Sequence, residues 1–527
     1  MKASKLVAVL LAVVFLMSAC NTKPAELVPA SPAVQIPVAP AYVDATQVVL
    51  SDSGITVGGA IVSTDATAAV YIANDIVYYE SGKDFTYGEG TEKDAHSPDE
   101  AAAHTVVHIT KPGVYSLSGK LSRGQIAVDL GDDANKDPNA VVTLVLNGVD
   151  ITCEVAPAVI FYNVYECGND DTEKASKDVD TSAAGANVII ADGTINAVNG
   201  SYVEKIYKPD SVVLSDDKTE VEDADKLHKY DGAFYSKCSM NIFGGKENTG
   251  VLNIKAENEG LDSEMHLTIN GANIHIESGN DGINTNEDGV SVAAVNGGKL
   301  TIKVTGETGE GDGIDSNGWL VINGGTVVAA ACSNSADAGI DSDMGIHING
   351  GTVIATGHML DRIEDGGQNY AVFNFAQKQT GNETVTMKDQ DGKSIFEAKP
   401  ENAYSILIFS SPDLTAGTYT LWSNGKQLAG SAGGMMGGPG MGTGGMDRPE
   451  PPDNMQPPAY DGQAPEGFTP PEGINPPEGF NPPEGGIRPE MSGENRPGNM
   501  GAQEMTTDFV IRNGGNMFSV ILQNGGQ

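Results

Sequence analysis

Four copies of a short phrase place carboxylates at matched positions: Gly260-Leu261-Asp262-Ser263, Gly282-Ile283-Asn284-Thr285, Gly313-Ile314-Asp315-Ser316 and Gly339-Ile340-Asp341-Ser342. Glu259, Asp281, Asp312, Asp337 and Asp343 flank them. If Ile283, Ile314 and Ile340 point into a core, the next residue of each phrase points the other way, and Asp262, Asn284, Asp315 and Asp341 share one face. Like charges about 4.8 Å apart repel by about 1 kcal/mol in water and about 3.5 kcal/mol at an effective dielectric near 20, and a cation reverses that sign. The donors are all oxygens, which suits Ca²⁺, a hard ion that takes about six to eight such ligands in flexible geometry. The expected metal ligands are therefore Glu259, Asp262, Asp281, Asp312, Asp315, Asp341 and Asp343. A solvated acidic face is the alternative, and Asn284 interrupts the ladder. The spacing matches neither an EF-hand loop nor a nonapeptide calcium roll.

Catalytic chemistry is less legible. A base for proton abstraction beside a metal-bound uronate would be a Lys or Arg, and Lys237, Lys255, Lys299, Lys303 and Arg362 are available, with Lys303 expected to point outward beside His275. None stands in a recognisable catalytic phrase, so no catalytic residue is assigned. Gly-x-Ser-x-Gly, His-Glu-x-x-His and phosphate-loop patterns do not occur, and the Gly-rich run Gly309–Gly313 carries acids that would repel phosphate. Trp319, directly after the Asp315–Gly318 turn, is the candidate for stacking on a sugar ring, with burial beside Leu320 and Ile322 as the alternative.

The elements that position these residues follow from the repeats. The acidic phrase recurs after 22, 31 and 26 residues. A second phrase, containing Asn270-Gly271, Asn296-Gly297, Asn323-Gly324 and Asn349-Gly350, recurs after 26, 27 and 26. Such periods mark stacked repeat architectures. Apolar residues alternate within a repeat, as in Ile274 and Ile276 or Leu300, Ile302 and Val304, which is strand periodicity. Three strands of four or five residues fill a 22-residue unit without room for a helix. The expectation is all-β: a right-handed parallel β-helix, a solenoid, with a small antiparallel C-terminal cap. Asn-Gly falls where the chain turns, since both residues tolerate positive φ, and the repeated Asn reads as a structural ladder.

Residues 1–19 read as a lipoprotein signal peptide: Lys2 and Lys5, an apolar run from Leu6 to Met17, then Ser18-Ala19-Cys20. This resembles a bacterial lipobox, which makes Cys20 the first mature residue and the lipid anchor; an ordinary signal with an incidental Cys is the alternative. A Pro/Ala/Val-rich spacer, 20–46, follows. With 31 Lys+Arg against 71 Asp+Glu, the net charge of −40 excludes a partner such as nucleic acid or an anionic membrane surface. Cys153, Cys167, Cys238 and Cys332 lack metal-site spacing, and a Cys153–Cys167 bridge is left open.

The runs Thr110–Gly119 and Leu144–Ile151, the phrase Phe234-Tyr235-Ser236-Lys237 and the stacked Gly-Ile-Asp-Ser units together resemble a family of bacterial secreted and lipid-anchored carbohydrate-binding proteins with a member from a cellulose-degrading clostridium. The resemblance covers roughly residues 47–430 and the last strands. It implies a parallel β-helix shaped like polysaccharide lyases, calcium as cofactor, and binding to cellulose and polygalacturonate. Long loops around Asp178 and Asp217 and a large C-terminal insert depart from the pattern.

The expected organisation is then a carbohydrate-binding domain at 47–402, a cap hairpin at 403–429, a disordered Gly/Met/Pro-rich insert at 430–505 with its Pro-Pro-Glu-Gly repeats, and closing strands at 506–527. In the cap, Ala403–Ser410 pairs with Thr415–Trp422, and Phe509–Arg512 and Phe518–Leu522 supply two more strands. The expected function is calcium-supported binding of an extracellular polysaccharide by a monomer that sits outside the cytoplasm and touches the membrane through its lipid alone. The alternatives are a pectate-lyase-like enzyme and a surface adhesin or scaffold that recognises something other than carbohydrate.

Overall fold

Alternation of apolar and polar residues is realised as strands almost everywhere in the computed structural model, which describes residues 39–433 and 505–521. Among these residues the helical segments are short: Pro98–Ala102, held by a Ser97/Glu100 capping box, and two single 3-10 turns. One sheet contains 19 strands and a second contains seven. Their inner faces bury a continuous, largely aliphatic core that runs from Val48 to Ile408 and includes Phe161 and Phe234.

The repeated phrases pair in parallel and in register. Leu261 stands opposite Ile283, and Ile283 is bridged to Ile314. Lys299 to Lys303 pair with Thr326 to Ala330, which pair in turn with Thr352 to Thr356. Ile283, Ile314 and Ile340 are buried, as the alternation requires. The Asn residues form the expected ladder: Asn296 Nδ2 donates to Asn270 Oδ1, Asn323 to Asn296 and Asn349 to Asn323, each at 2.8 Å. At the same corners Gly298, Gly325 and Gly351 adopt φ near +80°, and a Cβ at Gly298 would lie 2.3 Å from the Ala272 carbonyl oxygen.

The expected right-handed parallel β-helix solenoid, built from short separate strands, is corrected by the pairings. Val142–Cys153, Leu267–Ser278 and Val292–Val304 are 12, 12 and 13 residues long, because the chain stays extended on both sides of its Asn-Gly corner instead of ending there. Each long strand therefore serves two parallel stacks. Val142–Cys153, Ala186–Ile190, Met240–Gly244, Leu267–Ser278, Val251–Ala256 and Ile195–Gly200 pair successively and return to the first, a closed barrel of six parallel strands within the larger sheet.

The C-terminal strands also pair differently from the expected cap hairpins. Tyr404–Ser410 runs antiparallel to Thr352–Gly357 and to Tyr370–Gln379. Gly417–Ser423 pairs with Val385–Lys388 and with Phe509–Ile511, while Gly515–Ile521 joins Tyr370–Gln379 in parallel. A separate aromatic core explains the exchange: Phe373 stacks on Phe518 at 5.5 Å and meets Phe509 edge-on at 5.6 Å, so the closing strands are drawn to it from a distance in sequence. The signal peptide with Cys20 and nearly all of the Pro-Pro-Glu-Gly insert lie outside the described residues.

Candidate functional site

The seven-stranded sheet carries the first two acidic phrases. Its strands Gly232–Ser236, Glu259–Ser263 and Ile283–Thr285 are consecutive neighbours, with Tyr235 opposite Asp262 and Asp262 opposite Asn284. Asp315 and Asp341 continue the row through backbone bonds, the Asp315 N–H donating to Ile283 O at 2.8 Å and the Asp341 N–H to Ile314 O at 2.8 Å.

One part of the row brings Asp312, Asp315 and Asp341 together, with carboxylate oxygens all within 4.8 Å of one another. Asp281 joins it: the Asp312 N–H donates to Asp281 Oδ1 at 2.6 Å, and the Ala338 N–H donates to Asp312 Oδ1 at 2.5 Å. Burial, reinforced by the neighbouring carboxylates, pushes these acids upward, Asp315 to about 6, Asp341 to about 7, Asp281 to about 8 and Asp312 to about 9. Asp343 lies at the more open margin, where partial burial, followed by Asp288 and Asp361, raises it too.

A second group sits deeper. Glu259 and Asp262 are 5% and 0% exposed, so Asp262 is sealed within the protein although it occupies the outward position of its phrase. Asn284 Nδ2 donates to Glu259 Oε1 at 3.1 Å, and Asn286 Nδ2 to Asp262 Oδ1 at 2.8 Å. The other oxygens, Glu259 Oε2, Asp262 Oδ2 and Asn284 Oδ1, are buried without a hydrogen-bond partner. Burial and adjacent acids hold both carboxyls well above the usual range. Asp231, raised by burial and paired with Lys229 at 2.9 Å, adds a third carboxylate.

All seven predicted ligands thus fall along one strip, divided into two groups. Asp231 and Asp361 were not anticipated. Asp361 accepts from the Ser342 N–H at 3.2 Å and raises Asp341. Asp231 had a readable signal, because Gly232–Ser236 is the repeat one step earlier, with Tyr235 in the Asp position. Asp361 belongs to no repeated phrase and had none.

The oxygen set suits a hard cation. Buried, unpaired carboxylate oxygens are costly in a dry interior, and a divalent ion is the partner that such an arrangement accepts. Glu259, Asp262 and Asn284 offer the orphaned oxygens, and Asp312, Asp315 and Asp341 offer three convergent carboxylates.

Three of the five candidate bases are ion-paired. Arg362 pairs with Glu364 at 2.7 Å and Lys255 with Glu277 at 3.8 Å. Lys303 faces Glu277 across the sheet and pairs with Glu401 at 3.2 Å, whereas His275 stands opposite Thr301. Trp319 is half-buried, its carbonyl accepting from the Ser316 hydroxyl at 3.1 Å. Cys153, Cys167, Cys238 and Cys332 are all unbridged, three of them buried.

Comparison with known proteins adds three matches. A family profile described as carbohydrate-binding domain-containing protein matches residues 103–169 and 179–396, more than half of the chain. A carbohydrate-binding domain-containing protein of Acetivibrio thermocellus is 30% identical over 174 residues, 33% of this chain and 45% of the relative. The match therefore spans under half of that relative's length. A solved polysaccharide lyase-like protein from C. thermocellum, in a gadolinium derivative, aligns at 18% identity with a TM-score of 0.32, covering 61% of this chain and 98% of that one.

Proposed function

Because this chain belongs to the family of carbohydrate-binding domain-containing proteins, we propose that it is a calcium-supported polysaccharide-binding protein, held outside the cytoplasm by a lipid on Cys20. The glycan is of the cellulose or polygalacturonate type. The observation that carries the calcium part is the set of orphaned oxygens on Glu259, Asp262 and Asn284, continuous with the converging carboxylates of Asp312, Asp315 and Asp341.

In this reading Glu259, Asp262 and Asn284 hold one ion, and Asp281, Asp312, Asp315 and Asp341 hold another. Bound there, calcium cancels the mutual repulsion of the carboxylates. The residues sit on successive layers linked by strand pairing and backbone hydrogen bonds, so neutralising them stiffens the layers against one another and fixes the surface that meets the glycan. Among the described residues no helix is long and apolar enough to cross a membrane, and the lipid on Cys20 supplies the attachment in this proposal.

Sedimentation of the protein with insoluble cellulose and with cross-linked polygalacturonate, in calcium and in chelator, tests the proposal. Co-sedimentation that weakens in chelator is expected. A protein that stays in the supernatant with both matrices contradicts the glycan part, and binding that chelator leaves unchanged contradicts the calcium part.

A further inference from the structure

Two adjoining cavities, of about 630 and 340 Å³, lie against the seven-stranded sheet and share Leu227, His228, Tyr230 and Lys237 as walls. Sharing these walls, they line one strip of the sheet as adjacent parts of a candidate groove. Its lining comes from five successive strands of that sheet: His108 on Thr105–Ile109, Asp129 on Gly124–Asp129, Tyr162 on Val159–Asn163, Tyr235 on Gly232–Ser236, and Glu264 just past Glu259–Ser263. Five strands span roughly 19 Å between the first and the last. A groove of that length suits a polymer segment better than a single sugar.

The walls are held in place before any ligand arrives. Strand Lys226–Tyr230 is fixed by antiparallel pairing with Val203–Tyr207. Tyr230 packs edge-on against Tyr235 at 5.0 Å and Tyr162 at 5.5 Å, and His228 Nδ1 meets the Tyr230 hydroxyl at 2.6 Å. The Tyr235 hydroxyl donates to Glu264 Oε1 at 2.7 Å, and Lys226 pairs with the same carboxylate at 3.1 Å. Lys237 is exposed at the junction of the two cavities, and among the described residues no carboxylate forms an ion pair with it, unlike Lys226 and Lys229.

The charge of the lining identifies the ligand class. Asp75, Asp129, Glu166, Asp170, Glu264 and Glu287 face three ammonium groups, Lys226, Lys229 and Lys237. Carboxylates therefore outnumber lysines two to one, in a chain whose net charge is −40. A polyanion entering this groove is repelled, whereas sugar hydroxyls can donate to the carboxylates and accept from the free Lys237 ammonium. We infer that this groove is a glycan subsite and that it takes a neutral, hydroxyl-rich chain in preference to a uronan. The inference rests on the proposed polysaccharide binding and specifies where on the molecule it occurs and for which glycan class.

Calorimetric titration of the full chain with cellohexaose and with hexagalacturonate, at low and high salt, tests it. The neutral oligosaccharide binds more tightly than the uronate, with an affinity that salt barely changes. Lys237→Met and Leu227→Ala, both at exposed positions of the groove wall, weaken that binding about tenfold or more, or by about 1.4 kcal/mol, whereas Lys303→Met outside the groove leaves it unchanged. If the wild type binds cellohexaose and both groove variants bind it equally well, the groove is not the subsite, although polysaccharide binding stands. Tighter binding of the uronate overturns the assignment of ligand class. Failure of the wild type to bind either oligosaccharide, or insoluble glycan, overturns the underlying reading as well.

Discussion

At the residue scale, the chemistry is concentrated in acids that the fold crowds together against their electrostatic preference. Asp312, Asp315 and Asp341 repel one another when ionised, and burial removes the water that would otherwise screen them. Replacing Asp315 with Asn should therefore have opposite effects in the two metal states. In chelator the variant should melt at or above the wild-type temperature, because one repulsive charge is gone. In calcium, with Asp315 a ligand as proposed, the variant should lose part of the stabilisation that a bound ion would provide. Differential scanning calorimetry of both proteins in both conditions shows whether the signs differ. Destabilisation by the same amount in both would mean that Asp315 serves packing alone.

At the element scale, the Asn ladder and the long strands explain how the repeats stay in register. Asn323 donates to Asn296 and accepts from Asn349, at 2.8 Å each, so Asn323→Ala breaks two side-chain bonds at a half-exposed position. The expected loss is about 1–2 kcal/mol, read from the urea midpoint at unchanged m. This part of the fold was legible because the same residue types recur at 26 or 27 residues, the length of one layer. The inward isoleucines and the strip of acids after them were legible for the same reason, since strand alternation ties each residue's face to its neighbour's. Ring closure was hidden, because nothing in Leu267–Ser278 distinguishes two short strands from one long strand that passes through its corner. The partner of Gly417–Ser423 was hidden too, since Phe509 is recruited across the long insert by a shared aromatic core. The groove depends on a strand, Lys226–Tyr230, that follows the long loop around Asp217 and was hidden because its apolar residues are few and its pairing partner is some twenty residues earlier.

At the scale of the whole molecule, the acid strip should make metal-free stability depend strongly on pH. A buried carboxyl whose folded pKa lies above its unfolded value of about 4 keeps a proton in the fold that the unfolded chain has released. Its presence is tolerated at low pH, and stability falls as pH rises towards and through the folded values, which here extend from about 6 for Asp315 to about 9 for Asp312. In chelator the melting temperature should therefore drop steadily between pH 5 and pH 9, over roughly the interval those values set. Calcium should flatten the curve most at the alkaline end, where the ligands are ionised. A chelated protein whose melting temperature is level over that range would show that these carboxyls titrate normally.

The measurement closest to the central claim is affinity electrophoresis of the full chain through gels containing a soluble β-glucan or polygalacturonate, with calcium and with chelator. The paired variant Asp315→Asn/Asp341→Asn is run beside it. Calcium-supported polysaccharide binding predicts retardation of the wild type by at least one glycan, reduced by chelator and reduced in the variant even when calcium is present. Equal mobility in glycan-containing and glycan-free gels, in calcium, would contradict it.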